Sequence, residues 1–211
     1  MSLVLLGTTS GAAAGLSGRW LLSHLRRGTE VHSGYLAAAV AALWAVVGWR
    51  VASGHLPAWW LPVPLTMTWF AVLLVVVDLR HSRLPDALTL PAYPATLAAT
   101  TAVAWLSGDW SVLPRAVVGA AVFLALHAVV HRLHPPSLGA GDVKLSGSVG
   151  AVLAATGWPA LSLCALVAAV VTLLLSLAVG PDWQEGVPHG PGLLLATCLF
   201  IIFPPTPLMI T

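Results

Sequence analysis

Charge is what this chain has least of. Only 8% of its 211 residues are Asp, Glu, Lys or Arg, against about a quarter in an ordinary soluble domain. A soluble protein of this size keeps roughly a third of its unfolded surface wet after folding, and so few polar side chains cannot cover it. The net charge of +2 excludes the dense basic footprint that a nucleic-acid partner requires. Cysteine is nearly absent too. Cys164 and Cys198 each lie in an apolar block with no neighbouring His or Cys, so they supply neither a zinc site nor a sign of an oxidising compartment. Both read as small buried hydrophobes.

What is abundant is apolar sequence in blocks. Hydrophobic residues make up 58% of the chain, and the mean hydropathy is +0.92. Eight stretches can cross or dip into a bilayer, which takes about 20 apolar residues. They are Leu3–Leu22, Gly34–Val51, Trp59–Val77, Leu88–Leu106, Leu113–Val130, Ser146–Ala155, Ala160–Val179 and Gly190–Phe203. The expected fold is therefore an all-α membrane protein. It is a polytopic bundle of about eight transmembrane helices, with residues 1–211 as a single integral-membrane domain and the lipid bilayer as solvent. The sixth stretch is short, and Gly157-Trp158-Pro159 after it is a turn signal, so the sixth and seventh could form one broken span. Met1 to Gly18 lacks a basic stretch before its apolar run, and Arg19, Arg26 and Arg27 come after it. It reads as a retained first span rather than a signal peptide.

Basic residues set the orientation. Arg19, Arg26 and Arg27 follow the first span, Arg80 and Arg83 the third, and Arg132 and Lys144 flank the loop after the fifth. If spans alternate, these loops share one side, which the positive-inside rule assigns to the cytoplasm. Arg50 dissents and is expected to snorkel outward. Trp59, Trp60, Trp105, Trp110 and Trp158 fall near the opposite interface, where amphipathic rings prefer to sit.

Only seven acids are present. Glu30, Asp109, Asp182 and Glu185 fall in loops and read as solvated charge. Asp78 ends the run Trp69 to Val77, and Asp142 sits in Leu138-Gly139-Ala140-Gly141-Asp142-Val143-Lys144-Leu145. Alternation puts both at the same membrane face. Two carboxylates held together in a partly desolvated place share one proton, which is the state that aspartic proteolysis uses. Taken singly, each reads equally as an interfacial anchor or a helix cap. Gly139 and Gly141 would let backbone approach an extended substrate. Asp86, just after Pro85, reads as the N-cap of the fourth span. Lys144 either tunes Asp142 or anchors the span at the headgroups. His127, His131 and His134 have helical spacing, but no nearby carboxylate completes a metal set, so neither a metal nor another cofactor is expected.

Three segments carry a resemblance. Val77-Asp78-Leu79-Arg80-His81-Ser82-Arg83-Leu84-Pro85-Asp86 with the apolar run after it, Gly139-Ala140-Gly141-Asp142-Val143-Lys144, and Val187-Pro188-His189-Gly190-Pro191 resemble, in order, the signatures of bacterial type IV prepilin peptidases. These are membrane proteases with a Gly-x-Gly-Asp motif. The resemblance implies that Asp78 and Asp142 are the catalytic aspartates, with Pro85, Asp86, Gly139, Gly141, Lys144, Pro188 and Gly190 supporting the site. It implies cleavage of the basic leader from pilin-like precursors, Flp-type ones among the candidates, at the cytoplasmic face of the bacterial inner membrane. His189 departs from the family pattern, which usually has an aromatic residue there. Many relatives also carry a four-cysteine insert after the first span, associated with N-methylation. Here that loop (about Ser23 to Ser33) is short and has no cysteine, so methyltransferase activity is not expected. Pro188, Gly190 and Pro191 are expected to shape a non-helical turn at membrane depth. Two other readings compete. A proton- or cation-coupled transporter would need acids deeper in the spans and inverted repeats, and neither is visible. A catalytically silent scaffold for pilus or secretion assembly would not need the acid pair. Oligomeric state is left open.

Overall fold

The computed structural model describes residues 1–25, 33–81, 84–133, 138–179, 189–206 and 208, without the side chains of 33, 175, 176, 178 and 179. Among the described residues there are eight α-helices and no strand. They are α1 (Ser2–His24), α2 (Ser33–Ala52), α3 (Pro62–His81), α4 (Asp86–Ser107), α5 (Val112–Leu133), α6 (Ala140–Thr156), α7 (Trp158–Val179) and α8 (Gly190–Ile202), with one 3-10 turn, Ala58–Trp60, before α3. Gly34–Ala52, Pro62–His81 and Val112–Leu133 are long and apolar enough to cross a membrane, and Trp158–Leu174 and Gly190–Ile202 are shorter apolar helices. Large apolar side chains such as Leu97, Val122, Leu126, Leu166 and Leu195 point outward. In water that surface would be unstable; in lipid it costs nothing. The chain is an all-α membrane protein.

Lipid tails are as apolar as Leu, so helices in a bilayer associate through close packing. Glycines at four-residue spacing provide it. Gly7, Gly11 and Gly15 line one face of α1, and a Cβ added to Gly11 would lie 2.8 Å from the Ala41 Cα of α2. Gly48 returns the contact against the Leu3 carbonyl. Gly119 of α5 and Gly150 of α6 meet in the same way, each against the other's carbonyl oxygen. The expected break after the sixth stretch is real. Gly157 has φ +150°, a region open to glycine alone, and it separates α6 from α7. The sixth helix also starts earlier than expected, at Ala140 rather than Ser146, which puts Asp142 inside its first turn.

One expectation at the far face is corrected. Arg50, in the last turn of α2, finds its partners at that face. Its Nε donates to the Ile202 carbonyl at 3.3 Å and an NH2 group to the His55 carbonyl, and its guanidinium lies 4.8 Å over the Phe203 ring. The unsatisfied carbonyls at the C-terminal end of α8 suit a cation there. Trp60 is buried rather than part of an interfacial belt, and its indole N–H donates to the Ile201 carbonyl at 2.9 Å. Trp105, Trp110 and Trp158 are exposed.

Candidate active site

Three helix ends converge at one face. The last turn of α3 carries Asp78, the first turn of α6 carries Asp142, and α8 starts at Gly190. Both acids are nearly buried, at 4% and 8% exposure. A Cβ placed on Gly190 would stand 2.6 Å from Asp78 Oδ2 and 3.0 Å from Asp142 Oδ1. The two carboxylates therefore meet beside the bare Cα of Gly190, their oxygens no farther apart than those two distances combined. These same two oxygens are buried with no hydrogen-bond partner in the protein. Native structures rarely leave such groups unpaired. The starts of α6 and α8 turn the free N–H groups and positive dipole ends of two helices towards the acids.

Other residues named from the sequence lie on the elements that carry this pair or beside them. Gly141 faces Leu84, whose Cβ lies 2.8 Å from where a Gly141 Cβ would stand. That glycine therefore lets the two signature segments touch. A Cβ on Gly139 would meet only the Asp142 carboxylate, at 3.4 Å, and the Gly141 backbone nitrogen, at 4.0 Å. Asp86 is not the N-cap of α4. Pro85 holds that position with an extended backbone, and no side chain caps the helix. Asp86 is instead the first helical residue and accepts from Lys144 Nζ through both oxygens, at 2.7 and 2.8 Å. Lys144 thus pairs with Asp86 rather than with Asp142.

Gly190 and Pro191 do not form a non-helical turn. They open α8 as its first two residues, where proline is tolerated because its missing N–H would have had no partner there. Pro188 lies outside the described residues, as do Arg83 and His134. Of the spaced histidines, His127 Nδ1 bonds the Phe123 carbonyl at 2.8 Å and His131 Nδ1 the Leu138 carbonyl at 2.7 Å. No set of three metal-ligating side chains occurs among the described residues.

Two neighbours were not singled out from the sequence. Tyr93 of α4 donates its hydroxyl to the Lys144 carbonyl at 2.6 Å, and its ring lies against Gly147. Thr172 of α7 bonds His189 Nδ1 at 2.8 Å and donates its own hydroxyl to the Ala168 carbonyl, which ties the residue before Gly190 to α7. A tyrosine between Pro91 and Pro94 in an apolar span is a visible oddity, but its partner can be named only once α4 and α6 are side by side.

Residues 65–179 match the type IV leader peptidase family, a stretch that contains both acids and the Leu84 to Asp86 step. The chain belongs to that family. Curated relatives agree. A prepilin leader peptidase/N-methyltransferase of Aeromonas salmonicida is 31% identical over 197 residues, covering 89% of this chain. One from Aeromonas hydrophila is 29% identical over the same length, and one from Legionella pneumophila is 30% identical over 63% of this chain. The chain spans 65% of the length of the Aeromonas relatives and 46% of the Legionella one. No solved structure matches the chain.

Proposed function

We propose that this protein is an aspartic endopeptidase that removes the basic leader from type IV pilin-like precursors, Flp-type ones included, with Asp78 and Asp142 as its catalytic pair. One observation carries the reading: two buried carboxylate oxygens, neither bonded within the protein, converge over a glycine with no room for a side chain. A water drawn between them gives its proton to the ionised carboxylate while the protonated one donates to the scissile carbonyl. The tetrahedral intermediate then collapses as the departing amine takes up a proton, and the shared proton is restored. Membership of the leader peptidase family and the printed names of its relatives support the substrate class.

The site faces the cytoplasm of the inner membrane in this proposal. Arg80 at the end of α3, Arg132 at the end of α5 and Lys144 at the start of α6 share its face, as the positive-inside rule requires. Asp86, Lys144, Pro85, Gly139, Gly141, Gly190 and Pro188 support the pair, and neither a metal nor a cofactor takes part. N-methylation is not expected. Both cysteines lie within α7 and α8, so no cysteine-rich site stands between α1 and α2.

The test is cleavage in membranes of a panel of pilin-like precursors by wild type, Asp78→Asn and Asp142→Asn, read as product mass. A leader-shortened product from wild type alone, without an added methyl mass, is expected. Equal processing by either variant would remove the pair from the mechanism. Cleavage by none of the three, with well-inserted protein, would favour the scaffold role.

A further inference from the structure

The first two turns of α6 are held by α4 and by the segment leading into it. Leu84 fills the space beside Gly141. One turn on, Lys144 is gripped at both ends: its Nζ bonds both Asp86 oxygens at 2.7 and 2.8 Å, and its carbonyl accepts the Tyr93 hydroxyl at 2.6 Å. The Tyr93 ring then fills the space beside Gly147. Asp142 lies within the residues so held.

Stability does not account for the arrangement. The ion pair is 44% and 58% exposed at Lys144 and Asp86, and pairs so wet contribute little to folding. A helical carbonyl already accepts from the N–H four residues on, so the Tyr93 bond is an additional one. What these contacts set is the rotation and height of α6 against α4. Asp78 comes from α3, and the meeting of the two acids over Gly190 depends on where α6 stands.

We infer that Tyr93 and the Asp86–Lys144 pair are positioning residues that hold Asp142 opposite Asp78. The inference rests on the peptidase reading above for its rate measurements, though not for its geometry.

Tyr93→Phe keeps the ring against Gly147 and removes only the hydroxyl. It is expected to lower kcat for precursor cleavage by about tenfold, since small displacements of catalytic groups are costly, with KM and the unfolding midpoint unchanged. Lys144→Gln and Asp86→Asn should each lower kcat. The double variant should fall no further than the worse single, because one interaction is being removed. The exchange Asp86→Lys with Lys144→Asp should restore part of the rate. Additive losses, an effect confined to KM, or losses that track the unfolding midpoint would overturn the inference.

A second arm needs no turnover. Cys164→Ala and Cys198→Ala remove the native thiols, and Asp78→Cys with Asp142→Cys then reports on the geometry through the rate of oxidative cross-linking. Adding Tyr93→Phe or Lys144→Gln should slow that cross-link. Unchanged rates in both backgrounds would sink the positioning role even if the wild type cleaves normally. A wild type that cleaves nothing, with cross-linking slowed as expected, would fault the peptidase reading and leave the positioning role standing.

Discussion

Asp109 and the Asp78–Asp142 pair are buried alike and furnished differently. Their exposures are 7%, 4% and 8%. Asp109, in the turn between α4 and α5, has a partner for each oxygen. Oδ1 accepts the Ser111 N–H at 2.9 Å and the Ser111 hydroxyl at 2.5 Å, and Oδ2 accepts from Arg115 at 3.3 Å. At the opposite face, Asp78 and Asp142 each keep an oxygen without a partner, and those two oxygens point at one place. Burial alone therefore does not mark a working acid. A carboxylate that closes a turn is bonded all round, whereas the proposed pair keeps acceptor capacity free, as binding a water and a peptide would require. That reserve costs stability, because an unpaired buried polar group forfeits its solvation.

The contrast is broken most severely at the pair itself. Asp78→Asn or Asp142→Asn should reduce cleavage by about a thousandfold or more, with the unfolding midpoint unchanged or raised, since a poorly solvated acid is replaced by a neutral amide. A folded variant that retains activity would place the pair with Asp109 among structural acids.

Next comes the glycine beside them. In Gly190→Ala the new methyl would stand 2.6 and 3.0 Å from the two carboxylate oxygens and force them apart. A loss of about a hundredfold in kcat is expected, while the helix itself is if anything favoured by alanine. Circular dichroism and a cleavage assay on one preparation separate the two effects.

Gly11→Val crowds a glycine of a different kind, 2.8 Å from the Ala41 Cα in the α1–α2 seam. It should cost about 1–3 kcal/mol of stability and leave turnover per folded molecule unchanged. A drop in kcat without loss of stability would show that the seam communicates with the site.

The smallest effect belongs to Asp109. The Ser111 hydroxyl bond, helped by the Ser111 N–H and by Arg115, outweighs burial and holds this carboxyl below the usual carboxylate range. Its contribution is fully present above the unfolded value of about 3.9, and it disappears as pH falls through the lower folded value. Asp109→Asn should therefore cost about 1 kcal/mol near neutrality, and the gap from wild type should close once the pH falls below the lowered folded value. Thermal melts at several pH values measure it. A gap that persists in acid would assign the stabilisation to packing rather than to the carboxylate.

The expected spans and the observed helices agree closely, from Leu3–Leu22 against Ser2–His24 to Gly190–Phe203 against Gly190–Ile202. Apolar blocks in a bilayer leave the backbone one economical solution, because every N–H and C=O must be satisfied within the helix. Where the expectations failed, a tertiary partner had intervened. Asp86 reads as a cap until Lys144 is seen to claim it. Trp60 reads as an interfacial ring until the Ile201 carbonyl accepts its N–H. The glycine seam of α1 was open to reading from Gly7, Gly11 and Gly15 at four-residue spacing, but its mate on α2 was not.

The sequence by itself determined that the chain is a helical membrane protein, that Asp78 and Asp142 belong to one face, and which residues resemble the signatures around them. Composition, span length and the alternation of spans are properties of the chain in order, and they carry those conclusions without contacts. Only the tertiary structure decided that Gly190 lies against both acids, that Lys144 answers Asp86, and that Tyr93 bonds α6. Those facts depend on which helices lie side by side and at what rotation. Close packing of small residues among distant segments sets both, and no local pattern encodes them.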